Sequence, residues 1–313
     1  MPRHLLIRSA AAVIALTAVM ALAAGLAGCG GDTGSTPTSA PPSARQTSPS
    51  RSALPAANAP ISTDPARVAD DLKRTTTALG RAIDDWRDAG RSAASADPPQ
   101  PVVLLALHQQ RVYRFLARRS GLARRTFARL PGPLAAQARD NVAATSDLLS
   151  LARPQKNPNK LRTQRPLPAA TLLGYFQRAA RRYGVSWQVL AAIMHVETKF
   201  GRVRSASSAG AQGPMQFLPA TWKAYGLGGD IHEPRDAVLG AANYLHASGA
   251  PGDYERAVHA YNPDRRYVDA VLRHARQIRH DPRAFYAYYN WQVYVLTTRG
   301  DARLTGPPPL LQP

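Results

Sequence analysis

Glu197 stands at the end of the run Ala191-Ala192-Ile193-Met194-His195-Val196, one carboxylate among apolar neighbours. With Ser186 as N-cap, a 3.6-residue period places Trp187, Leu190, Ile193 and Met194 on one helix face, and Glu197 falls on that same face. Burial disfavours a charged carboxylate, so its pKa rises and it keeps its proton to higher pH. A carboxylic acid in that state can serve as a general acid. The helix alone is equally compatible with a structural glutamate paired to one of the many arginines.

Beyond this helix, Gly210, Gly213 and Pro214 bring the chain through a tight turn just ahead of Met215-Gln216-Phe217. Such a turn can present Gln216 beside the Glu197 helix. The stretch Gly210-Ala211-Gln212-Gly213-Pro214-Met215-Gln216-Phe217-Leu218-Pro219, together with Glu197-Thr198-Lys199-Phe200-Gly201, resembles the lytic murein transglycosylases of the lysozyme-like (SLT-domain) superfamily. It looks closest to the membrane-bound lytic transglycosylase B-like subgroup. The likeness continues through Ser208-Ala209, Thr221-Trp222, Asp236-Ala237-Val238, Asn243-Tyr244-Leu245 and Ala260-Tyr261-Asn262, then Tyr267-Val268. Ordered motifs of this kind are far more specific than any one of them.

The resemblance implies a mainly α, lysozyme-like catalytic domain over residues 167–300 in which Glu197 is the catalytic acid/base. It implies that Gln216, Tyr261 and Asn262, with Ser208, Met215 and Phe217, contact the substrate. The implied reaction cleaves the β-1,4 bond between N-acetylmuramic acid and N-acetylglucosamine in peptidoglycan. Most glycosidases use two carboxylates, yet the chain has just two other glutamates, Glu233 and Glu255, and neither lies in a matching motif. A single-carboxylate route therefore fits, leaving 1,6-anhydromuramic acid ends. A muramidase that admits water to the same bond, or a non-catalytic wall-binding scaffold, are the other readings.

No cofactor or metal is expected. The stretch Tyr225 to Glu233 lacks the alternating oxygen ligands of a calcium loop. His195-Val196-Glu197 shares the spelling of a zinc-deaminase motif without its later cysteine pair, and the remaining histidines have no zinc-ligand spacing.

The elements that must position these residues follow from composition. Arg3 and Arg8 precede an apolar run ending in Leu26-Ala27-Gly28-Cys29, so residues 1–28 read as a lipoprotein signal peptide, with Cys29 as the lipidated residue. The run also approaches the length of a membrane anchor, but the Leu-Ala-Gly-Cys spelling is similar to a bacterial lipobox, and Cys29 has no second cysteine to pair with. The expected location is the cell envelope, with the protein lipid-anchored (a palmitate-type modification) to the outer face of the cytoplasmic membrane.

Residues 29–62, rich in Gly, Ser, Thr, Pro and Ala, read as a disordered tether. Residues 63–153 carry helical spacing at Val68, Leu72, Leu79, Ile83 and Trp86, with stops at Pro98-Pro99 and Pro131-Gly132-Pro133. That predicts an accessory bundle of about three helices. A proline-rich linker, 154–166, would make it a separate module, and 301–313 reads as a flexible tail. The aromatic group from Phe285 to Tyr294 is expected to pack the far end of the catalytic domain.

The net charge of +20 raises nucleic acid as a partner. A secretory signal and the lack of a basic stripe with interleaved aromatics argue against it. Expected partners are peptidoglycan glycan strands, the membrane through Cys29, and wall-synthesis or division proteins through residues 63–153.

Overall fold

The computed structural model describes residues 54–90, 97–158 and 161–306. The expected signal peptide, Cys29 and most of the expected tether lie outside the described residues. No described helix is long and apolar enough to cross a membrane.

Eleven helices and one β-hairpin make up the described residues. The accessory part holds four helices where three were expected: α1 (Pro65–Gly90), α2 (Gln100–Ala117), α3 (Ser120–Phe127) and α4 (Gly132–Leu151). The proline stops act as read, because Pro101 and Pro133 sit in the first turns of α2 and α4, where a missing N–H costs nothing. Asp64 accepts the backbone N–H of Ala66 (2.7 Å) and starts α1. The stripe Val68, Leu72, Leu79, Ile83 and Trp86 is buried as its spacing demands.

The second part runs through α5 (Ala169–Tyr183), α6 (Trp187–Thr198), α7 (Pro219–Tyr225), α8 (Pro234–Ala247), α9 (Tyr254–Tyr261), α10 (Arg265–His280) and α11 (Arg283–Tyr289). Gly184, at φ 66°, ends α5 in the left-handed conformation that glycine adopts without penalty. Strands β1 (Tyr294–Thr297) and β2 (Gly300–Arg303) pair antiparallel, with Tyr294 opposite Arg303.

The two parts are not separate modules. One continuous apolar core runs from Val68 in α1 to Trp291, and α10 packs between α4 and α6. Polar contacts reinforce this joint. Asp140 on α4 accepts from Arg276 (2.8 Å) and Gln277 (2.6 Å) on α10, and Tyr288 donates to Asn141 (2.7 Å). Gln110 on α2 and Gln292 exchange two buried hydrogen bonds, at 2.9 and 2.8 Å.

Three sequence boundaries shift for the same reason, which is that backbone pairing leaves little trace in composition. The described residues of the linker 154–166 are pinned near both ends, with the Gln155 N–H bonded to the Leu296 carbonyl (2.7 Å) and the Gln164 N–H to the Arg202 carbonyl (2.8 Å). The end of the expected tether is ordered: Ala57 is buried, and Arg111 donates to the Ala59 carbonyl (2.8 Å). The tail boundary at 301 falls inside β2.

Candidate active site

Glu197 lies in the last turn of α6, and the way that helix stops creates the site. Lys199, Phe200 and Gly201 have φ of 52°, 61° and 83°, three consecutive left-handed residues that double the chain back. The Phe200 N–H closes onto the Met194 carbonyl (3.2 Å). Its ring then enters the core against Phe176 and Phe285, with ring centroids 6.4 and 5.5 Å away. Core packing thus holds two non-glycine residues in a conformation they rarely adopt.

Thr198, next to Glu197, joins this helix end to the glycine turn. Its hydroxyl donates to the Pro214 carbonyl (2.6 Å) and accepts the Gly201 N–H (2.9 Å), fully buried. The turn itself is closed by paired backbone bonds between Gln212 and Phe217 (2.8 and 2.9 Å). Gly213, at φ 73°, has no room for a side chain, since an added Cβ would stand 1.9 Å from the Ile231 carbonyl oxygen. Gln216, itself at φ 52°, donates to the Gly213 carbonyl (2.9 Å) while its buried Oε1 has no hydrogen-bond partner. A buried acceptor left open in this way is suited to a ligand donor.

The third side of the site comes from the α9–α10 corner. Tyr261 donates to the Met215 carbonyl (2.7 Å), tying α9 to the same turn. Asn262 caps α9 and lines the cavity beside Glu197. Tyr267, in the first turn of α10, donates from Oη to Glu197 Oε1 at 2.6 Å, which fixes the carboxyl group.

Burial pushes the Glu197 carboxyl up to about 7, against the opposing pull of the Tyr267 hydrogen bond and the Lys199 charge. Lys199 is pulled down to about 7 by burial, with Arg114 and Arg202 acting the same way and Glu197 against them. Its ammonium turns inward and donates to the His195 carbonyl (2.7 Å). His195 and His274 line the same cavity and are held neutral by burial, His274 at about 3.

The cavity occupies roughly 190 Å³, and Glu197 is its one acidic lining residue among those described. Glu233 is exposed, and Glu255 is engaged with Arg265 (2.9 Å) at the surface. The site therefore holds one protonatable carboxyl, a tyrosine that orients it and a cation two residues away.

Of the residues expected at the site, the structure brings together Glu197 and Asn262 in the cavity, with Gln216 and Tyr261 linked to them through the turn. Met215 and Phe217 depart from expectation. Both side chains are buried because the tight turn points them into the core, where Phe217 packs on Trp222 and Tyr261 (centroids 5.2 and 5.5 Å). They support the turn from beneath. Ser208 is exposed on the loop before it. Two residues at the acid had no role assigned from sequence. Tyr267 is 70 positions from its partner, and the inward aim of Lys199 depends on a left-handed backbone that lysine spacing does not announce. The late aromatic group also does more than fill the far end, since Trp291 and Tyr294 line the cavity.

These features define a class: a mainly helical fold with, among the described residues, a single half-buried carboxyl lining its cavity. Comparison with known proteins agrees, because residues 174–280 match the family model of the Transglycosylase SLT domain. Over 150 residues the chain is 29% identical to membrane-bound lytic murein transglycosylase F 1 of Alkalilimnicola ehrlichii (strain ATCC BAA-1101 / DSM 17681 / MLHE-1). The alignment covers 41% of this chain and 29% of that protein, so the chain spans less than a third of its relative. The relative's name is of the F type, not the B type that the motif spelling suggested. No solved structure matches the chain.

Proposed function

We propose that the protein is a peptidoglycan lytic transglycosylase that cleaves the β-1,4 bond between N-acetylmuramic acid and N-acetylglucosamine. One observation carries the reading: among the described residues Glu197 is the only carboxyl lining a cavity where burial raises its pKa to about 7 and Tyr267 holds its orientation. Two-carboxylate glycosidases need a partner at roughly 5–9.5 Å, and the lining supplies none.

In this mechanism protonated Glu197 donates to the glycosidic oxygen as the bond breaks. The muramoyl sugar's own acetamido group supports the cationic centre. The resulting Glu197 carboxylate then takes the proton from the C6 hydroxyl, which closes on C1 and leaves a 1,6-anhydro end. Water is not consumed, so one group acting first as acid and then as base suffices. The open Oε1 of Gln216 accepts from the sugar, an acetamido N–H being the fitting donor. At the envelope the protein is held through acyl chains on Cys29, which labelled palmitate incorporation, abolished by Cys29→Ser, would check.

Mass spectrometry of purified peptidoglycan digested by the protein tests the reaction. Anhydromuropeptides are expected from the native protein, with the rate falling about 10³-fold in Glu197→Gln, the range by which a general acid contributes. Reducing-end muropeptides would instead identify a muramidase, and no glycan cleavage would leave a wall-binding scaffold.

A further inference from the structure

A second cleft adjoins the catalytic cavity, sharing Arg114 and Tyr294 with it, and its lining is cationic. Arg111 and Arg114 on α2 and Arg118 at its C-cap stand three and four residues apart, which puts them on one helix face. Arg119 follows, and Arg303 comes from β2. Among the described residues Asp301 is the one acid in this lining, and it takes Arg118 at 2.7 Å and Arg114 at 2.9 Å. Neutral groups hold the other three. The Ala59 carbonyl accepts from Arg111 (2.8 Å), the Ala57 carbonyl accepts from Arg303 (3.1 Å), and the Arg119 guanidinium lies 3.8 Å from the centre of the Phe115 ring. A carbonyl or a ring face fixes a guanidinium in place without removing its charge. Like charges at this helical spacing repel. Burial lowers the Arg111 pKa; Tyr294 opposes that shift and the Arg303 charge adds to it.

Five prepositioned guanidiniums facing one carboxylate fit an anion from outside the chain. They come from a helix face, a helix end and a strand, and a tetrahedral phosphate accepts hydrogen bonds along several such directions where a planar carboxylate does not. We propose that this cleft binds a phosphate group, presented by an anionic lipid headgroup. Its place in the fold supports that source. Asn58 and Ile61 also line it, and the exposed Leu54 precedes them, so the cleft lies where the chain enters the described fold. The side from which the N-terminal segment departs is then the side that meets headgroups, and the anionic surface attracts its arginines. A volume near 610 Å³ admits a whole headgroup. The site is independent of the bond cleaved at Glu197.

The test uses a chain starting at residue 29 and carrying Cys29→Ser, which keeps every described residue and excludes binding through the apolar run or an acyl chain. Its affinity is measured for vesicles of phosphatidylglycerol and phosphatidylcholine in equal parts, and for phosphatidylcholine alone. The mixed vesicles should bind about tenfold more tightly or better. Arg119→Glu and Arg303→Glu should each abolish that preference. Arg181→Glu, the same charge reversal at an exposed position on α5 outside the cleft, should leave it unchanged. Equal losses in all three variants would mean attraction by net charge and would overturn the cleft. Melting temperatures check that each variant folds, and they also separate the phosphate sources. Saturating inorganic phosphate should raise the melting temperature by about 3 °C over chloride at equal ionic strength, and should not do so in Arg303→Glu. That rise without a vesicle preference would keep the phosphate site and replace the lipid by a soluble phosphate ester. Neither a rise nor a preference would remove the site.

Discussion

At the scale of single residues, Glu197 trades stability for chemistry, and the trade has a definite sign. Its folded pKa near 7 exceeds the ordinary 4.5, so between those values the folded protein holds more proton than the unfolded chain. Its stabilising contribution is complete below about pH 4.5 and is lost as pH rises through 7. Glu197→Gln, which cannot ionise, should therefore melt several degrees higher than the native protein at pH 8, a gain on the order of 2 kcal/mol. At pH 4 the two should melt together; a gap of equal size at both values would mean that burial is not the cause. Catalysis needs the protonated form first, so kcat/KM should fall above about pH 7. Tyr267→Phe removes a donor that favours the carboxylate, so the alkaline limb should move to higher pH while kcat drops through lost orientation. An unmoved limb would deny Tyr267 this role. Glu197, Gln216, Tyr261 and Asn262 could be named as candidates because each sits in a motif with fixed spacing. Tyr267 and Lys199 were not, because their roles depend on a contact 70 residues long and on a left-handed turn.

At the scale of elements, the site depends on two chain reversals clamped together by Thr198. The glycine turn was readable from Gly210, Gly213 and Pro214, since helix breakers spaced this closely leave no room for a regular helix between them. Why Gly213 is required shows only in space: at φ 73° it backs onto Ile231, and a methyl group would meet that carbonyl at 1.9 Å. Gly213→Ala should cost more than about 2 kcal/mol and displace Gln216, so thermal melting and glycan cleavage should both suffer. Gly184→Ala is the matching control, with similar φ (66°) but nothing near its added carbon, and should cost only about 1 kcal/mol with activity retained. Equal losses would mean that backbone strain, and not the Ile231 contact, governs Gly213. The reversal at Lys199 and Phe200 escaped the sequence for a physical reason, since neither type favours positive φ and only the pull of Phe200 into the core sets it. The hairpin of β1 and β2 escaped for another: four-residue strands are too short for alternation to stand out.

Across the whole molecule, the sequence announces two modules and the structure folds them as one. Proline content and a run of basic residues made residues 154–166 look like a spacer, and composition did change on either side. Composition does not record that α10 buries its stripe of Val268, Val271, Ala275 and Ile278 while packed between α4 and α6. Nor does it record that the supposed spacer lends its backbone to Leu296 and Arg202. The matched segment 174–280 therefore lacks part of its own core, and the missing part is α1 to α4. Calorimetry of the native protein should show a single transition with equal calorimetric and van't Hoff enthalpies. A chain starting at residue 161 should lack it, because the α4-facing side of α10, and Tyr286 and Tyr289 where they pack on Trp86 of α1, would lie open to water. Two resolved transitions, with the later one preserved in the shortened chain, would restore the picture of separable modules. One transition lost on truncation would mean that the helices before the matched segment are part of the scaffold that keeps Glu197 buried, and hence of what sets its pKa.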